Sequence, residues 1–600
     1  MLRNFLTVAF RSMSRQLSYS IINIVGLAIG IACSLVIFLF VYGEWSYDRG
    51  YKDSDRIYKV GISFFNIGNF GVGPERTLAV LPDQFDGIET STRVRRQDVL
   101  IQIDDKSFHE PAVFYTDSNF FKVFHHDFVS GRSIEAPTDI VLTENAANKF
   151  FGTTDALGRS IKIGPERKEF LVTGVVKGID FNATVKAEIF VANNELLKNS
   201  PVWSSASFFS FIKLKENFGY GDLQAALDRV MEKNVFPESG KPMGFKDLED
   251  YKKSPNSIKF HLHALQDIYL KSKLNFEMTP GGNEANIYIF SAISVFILIL
   301  AAVNFINLTT ARASRRAKEV GIRKTMGTSR KRLIFQFLGE SVMISTVAMI
   351  LALMLSEVFL VAFTYVTGAP LLTTIWNNPT TVLLFTGFSV IVGICSGLYP
   401  AFYLTSFNPV KVLKGNMTAS GGASFRNILV VFQFTVSMIL IVCAFVVQQQ
   451  LHFIQNKELG FDQNNVITLD HIYLFKDKMQ ADTYRNELAQ QSGVIKSAHH
   501  MGEPGSRRFM TFSTYQTAQV PDAASVNTYL GDEDYMDLLG LKFVQGRGFD
   551  KDLKSDTSAL ILNESAAKLL GIDDKPIGAK INEHDYVIGV VSDFHWGVAS

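Results

Sequence analysis

Residues 311–337 read ARASRRAKEVGIRKTMGTSRKRLIFQF, and this stretch decides what kind of molecule the chain is. Between Ala311 and Arg332 it places nine Lys and Arg against one acid, Glu319. Long apolar runs flank it, Ala285–Ala311 before and Ser341–Val366 after. Each is long enough to cross a hydrocarbon core of roughly 30 Å as a helix, which takes about 20 residues. Three more runs qualify, Ile21–Tyr42, Thr380–Leu404 and Ile428–Val447; only Ser341–Val366 contains a charge, Glu357. The chain therefore reads as a membrane protein with five spans.

Bulk composition agrees. Of 600 residues 47% are hydrophobic and 50 are Phe, which argues against a single soluble domain. The formal net charge of +1 gives no indication of nucleic-acid binding. Cys33, Cys395 and Cys443 all fall in apolar runs, so the polar regions carry no disulfide framework. Arg3, Arg11 and Arg15 precede the first run, but it is too long for a secretory signal and no small-residue cleavage site follows, so it reads as a retained anchor. Before it, Phe5, Ala9, Met13 and Leu17 recur at helical spacing, as in a helix lying in the interface.

Basic residues in the short flanking segments set the orientation. Residues 1–18 carry three Arg, 312–332 are strongly basic, and 405–427 hold Lys411, Lys414 and Arg426 without an acid, whereas 367–379 have no charge. The expected order is a cytoplasmic interfacial helix 1–18, a first span 19–43, a first outer domain 44–284 and a second span 285–311. A cytoplasmic segment 312–338, a third span 339–366, a short outer loop 367–379 and a fourth span 380–404 follow. A cytoplasmic linker 405–427, a fifth span 428–447 and a second, incomplete outer domain 448–600 complete it. Stretches such as DRIYKVGISFF, VLIQID, FFSFIKLK and DYVIGVV predict strands, and 221–234 has amphipathic helical spacing, so the outer domains are α+β.

The chain also repeats itself. DSNFFKVFHHDFVSGR (117–132) matches DEDYMDLLGLKFVQGR (532–547), with Asp117, Phe120, Phe128, Gly131 and Arg132 aligned to Asp532, Tyr535, Phe543, Gly546 and Arg547. TENAANKFFG (143–152) matches NESAAKLLG (563–571), and TGVVKGIDF (173–181) resembles IGVVSDFHW (588–596). A module of one span, an outer domain and three spans is thus duplicated, and the second copy stops at Ser600 inside its outer domain, so the natural chain is expected to continue.

These residues carry a family resemblance. AAVNFINLTTARASRRAKEVGIRKTMGTSRKRLIFQFLGES (301–341) resembles the signature of FtsX-like permeases of MacB-type ABC transporters. GLYPAFYLTSFNPVKVLKG (397–415), with Pro400, Pro409, Val410 and Leu413, is similar to the end of that domain, and RNFLTVAFRSMSRQLSYSIINIVGLAIGI to the family's N-terminus. The duplication resembles the long, two-copy permeases. No G-x-x-x-x-G-K-[ST] phosphate loop occurs, so the resemblance implies a separate ABC ATPase subunit that binds ATP and Mg, with no cofactor in this chain and no enzymatic activity of its own. It also implies a bacterial inner-membrane location, membrane lipid as surroundings and a periplasmic adaptor as a further partner.

In the family the segment between spans two and three forms a coupling helix on the ATPase, mapping here onto about Glu319–Arg330. Ile322 and Met326, one helical turn apart, would give apolar contact; Arg323 and Lys324 could pair with a partner's acids; Gly327 would break the helix. The alternative is that all nine charges only fix topology and meet lipid phosphates. Gly26, Gly30 and Ser34 form a small-residue stripe suited either to a neighbouring span or to a dimer seam. Asn304 and Asn307 fit interhelical hydrogen bonding, and Glu357 fits either interfacial snorkelling or a functional role. His125–His126 and His499–His500 lack a metal-ligand pattern and read as solvated loop residues. Three function classes remain: a mechanotransmission permease exporting a peptide, antibiotic-like or lipid-linked substrate, a signalling permease that regulates a cell-wall hydrolase, and a membrane sensor.

Overall fold

The computed structural model describes residues 17–64, 68–192, 202–203, 205–311, 313–367, 379–406, 420–469, 475, 477–501, 511–520 and 524–595. Nearly all of the expected interfacial helix and of the outer loop 367–379, together with Pro409, Val410 and Leu413, lies outside the described residues.

Five helices are long and apolar enough to cross a membrane. We number them with the short helix among them: α1 (Leu17–Trp45), α2 (Glu284–Ala311), α3 (Ala313–Thr325), α4 (Arg330–Thr367), α5 (Pro379–Thr405) and α6 (Ser420–Asn456), where α3 is the short one. Apolar runs become helices in lipid because no water is present to satisfy an unpaired backbone group. The long helices overrun the apolar runs. α4 begins at Arg330, so Arg330, Lys331 and Arg332 belong to the helix of the third span rather than to a separate segment, and α6 extends the fifth run at both ends.

Residues 1–47 and 282–452 form one compact unit, and 48–281 with 453–600 form the other. In the first unit α1 packs on α2 and α4, and α5 packs on α4 and α2. Their shared core is small-residue rich, with Ala28, Ile31 and Ala32 of α1, Ala301 of α2, Ala348 and Ala352 of α4, and Val392 of α5. Small side chains let backbones approach where water gives no hydrophobic drive. By contrast α6 leaves Ile439, Ile441, Val442 and Phe445 exposed.

The other unit holds the sheets. Its first part has β1 (Ile57–Phe64), β2 (Gly68–Phe70), β3 (Ile88–Ile103), β4 (Lys106–Thr116), β5 (Phe128–Gly131), β6 (Asp139–Thr143), β7 (Ser160–Ile163), β8 (Lys168–Val176), β9 (Ile189–Ala192), β10 (Phe209–Leu214) and β11 (Lys259–Ala264). They form one sheet ordered β11-β1-β10-β3-β4-β9-β6-β8-β5, with β2 on β1 and β7 joining β3 and β8. β4–β9 and β6–β8 are parallel and the other pairs antiparallel. The second part has β12 (His500–Met501), β13 (Thr511–Tyr515), β14 (Ala524–Thr528), β15 (Leu530–Gly531), β16 (Phe543–Gly546), β17 (Ala559–Asn563), β18 (Lys580–Ile581) and β19 (Asp585–Val591). Among the described residues of this second part, β16-β19-β17, with β18 on β19, is the largest sheet.

Local geometry in the two parts runs in step. Phe128 faces Val176 and Gly131 faces Gly174, with an irregularity after Phe128; Phe543 faces Val591 and Gly546 faces Gly589, with an irregularity after Phe543. Both β6–β8 and β17–β19 are parallel and both slip between adjacent residues, at Ile140/Val141 and at Leu560/Ile561. Asp117 accepts from the Asn119 and Arg93 amides at 3.0 Å, and Asp532 accepts from the amides of Asp534 at 3.2 Å and His499 at 2.7 Å. Thr143 and Asn563 each cap the following helix by accepting from Ala146 (3.2 Å) and Ala566 (3.0 Å).

Two sequence expectations need correction. The helix over 221–234 is α-helical only as Tyr220–Val230 and continues as a π-helical segment, Met231–Gly240, that contains Pro237. Proline has no N–H to donate, so regular α-helical bonding cannot pass through it. His126 is not solvated: it is 6% exposed, edge-on to Phe121 and Phe190, with Nδ1 2.9 Å from the Phe124 carbonyl. Phe120, Phe121 and Phe124 enter the core and carry it in, and burial pulls its imidazole below the ordinary range; its neighbour His125 is exposed.

Candidate coupling surface

α3 has two unlike faces. Ala317 and Val320 are buried at 0% and 2%, while Ile322 is 51% and Met326, just past the helix, 81% exposed. The i, i+4 spacing of Ile322 and Met326 puts them on one face, and that face is open. The helix stops where Gly327 takes φ 89°, a left-handed conformation that suits glycine, and the Gly327 and Thr328 amides return to the carbonyls of Lys324 (3.1 Å) and Arg323 (3.0 Å).

Several polar side chains of α3 are already engaged within the chain, Glu319, Arg323 and Lys324 among them. Glu319 and Arg323 form an i, i+4 ion pair at 2.7 Å, and Arg323 also donates to Gln336 Oε1 of α4 at 2.8 Å. Lys324 Nζ donates to the carbonyl of Thr405, the last residue of α5, at 2.6 Å. Burial and the nearby Arg330 pull its ammonium below the ordinary lysine range. Within the chain, Arg323 and Lys324 both brace α3 against neighbouring helices. Short side-chain spacings within one segment pointed outward in the sequence, and only the return of α4 and α5 beside α3 supplies these partners.

Sequence reasoning missed the central link of this site. Arg316 donates to Glu340 Oε2 at 2.8 Å, with side chains only 15% and 11% exposed, and its guanidinium lies 5.6 Å from the Phe337 ring centroid. Gln336 Nε2 donates to Glu340 Oε1 at 3.2 Å. The available signal was an acid at the edge of an apolar run, four residues after a glutamine.

The packing residues lie elsewhere in the bundle. A Cβ on Gly30 would come 2.5 Å from Ala301 Cβ, and one on Gly26 would come 3.1 Å from Asn304 Nδ2, so α1 and α2 cross closely at this stripe. Ser34 and Ser294 hydroxyls are 2.7 Å apart. These contacts place the stripe against α2. Asn307 Nδ2 donates to Gln433 of α6 at 3.5 Å. Tyr19–Thr309 (2.6 Å) and Ser345 to the Ser389 carbonyl (2.8 Å) are further interhelical bonds that isolated polar letters in apolar runs did not reveal. No group of three or more His, Cys, Asp or Glu able to hold a metal is found among the described residues.

Residues 20–230 match the family described as MacB-like periplasmic core domain, and 291–409 match FtsX-like permease C-terminal. The Campylobacter jejuni macrolide export ATP-binding/permease protein MacB is 31% identical over 150 residues, 25% of this chain and 23% of that protein. Its Rhodopirellula baltica namesake is 20% identical over 441 residues, 68% of this chain and 62% of its own. The chain thus spans less than a quarter of the length of the first of these curated relatives. The periplasmic region of MacB from Actinobacillus actinomycetemcomitans, a solved structure, aligns at 16% identity and TM-score 0.26, covering 37% of this chain and 92% of that one. The two family matches together take in more than half the chain, most of its first large domain and the spans around α3, and the chain belongs to the FtsX/MacB-type ABC transporter permeases.

Proposed function

We propose that the chain is a permease subunit that couples ATP hydrolysis by a separate ATPase to movement of its periplasmic domains, exporting a peptide, antibiotic-like or lipid-linked substrate. ATP and Mg bind the partner subunit. The observation that carries this reading is α3: one face is braced on α4 and α5 while Ile322 and Met326 stand exposed beyond it. An apolar pair on a basic helix is a surface that a partner protein can cover without unpairing any charge. The excess of basic residues around α3 favours the cytoplasmic side, which puts the sheets on the periplasmic side of the inner membrane.

The reading extends to a duplicated module. The shared strand registers, irregularities and helix caps of 117–176 and 532–591 support two copies of one design, each following a span. Two such domains moving together would give the stroke a pair of levers.

The test is Met326→Asp in the full chain, purified in nanodiscs with the ATPase that co-purifies with it. An unpaired carboxylate in the contact should cost about 1–3 kcal/mol, enough to lose the partner and its stimulation. Membrane insertion should persist because all nine basic residues remain. Unchanged co-purification and stimulation would reduce the stretch to a topological anchor. Vesicles that move cargo with ATP support export; a hydrolase bound to the periplasmic domains with no cargo moved supports the signalling permease instead.

A further inference from the structure

We propose that Glu340 is a positioning residue for α3: through Arg316, and through Gln336 to Arg323, it locks α3 onto α4 so that force applied at Ile322 and Met326 reaches the third span. The inference rests on the coupling reading of α3 and adds the element that transmits it.

The geometry is a ladder between two helices. Arg316 and Arg323 are seven residues apart, two turns on one face of α3, while Gln336 and Glu340 are one turn apart on α4. Arg316 meets Glu340 and Arg323 meets Gln336, an antiparallel match whose rungs are joined because the Gln336 amide accepts from Arg323 and donates to Glu340. Both carboxylate oxygens are used, Oε2 by Arg316 and Oε1 by Gln336. With both ends of the Arg316–Glu340 pair largely out of water, α3 cannot lift from α4 without leaving two charges unpaired in a poorly hydrated place. Ala317 and Val320 are buried on α3, and Lys324 ties the far end to α5. A helix held this way is tied to α4 by its side chains, whereas one tethered only by its loops would tilt under load.

The experiment uses the full chain with Cys33, Cys395 and Cys443 replaced and spin labels at Ile322→Cys and Met354→Cys, both exposed positions. Without any partner present, the parent should give one narrow interlabel distance. Glu340→Gln, which keeps shape and removes charge, should broaden it. In the unlabelled chain the same substitution should leave the ATPase bound and lower its stimulation about tenfold, the size of effect expected along a coupling network. The swap Arg316→Glu with Glu340→Arg should restore both readouts. A narrow distance in Glu340→Gln, a broad distance with stimulation unchanged, or a swap as broad as the single variant would each overturn the proposal. Met326→Asp separates the two readings. If it releases the partner while Glu340→Gln changes nothing, only the ladder fails; if it does not, the docking face fails whatever Glu340 does.

Discussion

Segments 117–176 and 532–591 build the same small unit in different company. In both, an aspartate closes a turn by accepting the amide two residues on, an edge strand ends on a left-handed glycine, and a parallel strand leads into a side-chain-capped helix. Their neighbours differ. β6 has β8 on one side and β9 on the other, and every one of its residues is buried; among the described residues β17 pairs with β19 alone, and Leu560 and Ile561 stay partly exposed. The first copy also has an anchor: Asp48, just past α1, accepts from the Thr184 amide at 2.8 Å and the Thr184 hydroxyl at 2.7 Å. Short-range sequence sets the unit, and the surrounding sheet sets how much its core is worth.

The strongest way to break that parallel is to empty equivalent core positions. Ile140 and Leu560 face Val172 and Val587 at matching registers. Ile140→Ala, at a fully buried site, should cost about 2–5 kcal/mol, and Leu560→Ala clearly less because the site can collapse and is partly wet. Amide exchange in β8 and β19 of the full chain measures each separately, and equal losses would show that β9 contributes nothing to the first copy.

Next in size is the pH response of Asp48. Burial raises its carboxyl to about 6 from 3.8, against the hydrogen bonds from Thr184 that favour the charged form. A folded-state value above the unfolded one means the folded chain holds the proton more tightly. That stabilisation is complete below about 3.8 and is lost as pH rises through about 6. Raising the pH from 4 to 7.5 should therefore destabilise the first domain by up to about 3 kcal/mol. Thermal unfolding of the full chain in micelles across this range, with Asp48→Asn as the flat control, checks it. A rise in stability through that window attributable to Asp48 would reverse the assignment.

A third test asks where the copies should agree. Gly131 has φ 79° and Gly546 φ 77°, and a Cβ would meet the Thr173 carbonyl oxygen at 2.2 Å or the Ile588 carbonyl oxygen at 2.1 Å. Alanine at either position should cost roughly 1–3 kcal/mol from backbone strain alone, nearly alike in both, as seen in exchange at β5 and β16. The smallest effect belongs to Arg132 and Arg547, whose ion pairs with Asp139 and Asp556 (2.6 Å each) involve half-exposed guanidiniums. Removing either should change stability little. Even so, Arg547 and the other donors hold Asp556 down at about 2, so acid titration followed by NMR should lose that depression in Arg547→Ala.

Much of this was legible in the letters. Uninterrupted apolar runs have no other stable form in lipid than helices, so five spans could be read from length alone, and basic asymmetry marked the stretch around α3. The repeat was visible because aspartate turns, glycine strand ends and helix caps are local devices whose residues sit within a few positions of one another. His126 could not be read, because its burial depends on Phe190, which the chain brings back only through β9. The π-helical turn at Pro237 likewise depends on how 231–240 packs against Tyr251.

For α3, sequence by itself determined a basic stretch with an apolar pair one helical turn apart and a glycine to end it, since spacing and left-handed backbone are properties of neighbouring residues. It could not determine which cations are free. Arg316, Arg323 and Lys324 look alike as letters, and each finds a partner outside α3, at Glu340, Gln336 and Thr405, Arg323 in addition to Glu319 within it. Electrostatic pairing in a poorly hydrated site depends on distances of a few ångströms, which only the packing of α3 against α4 and α5 decides.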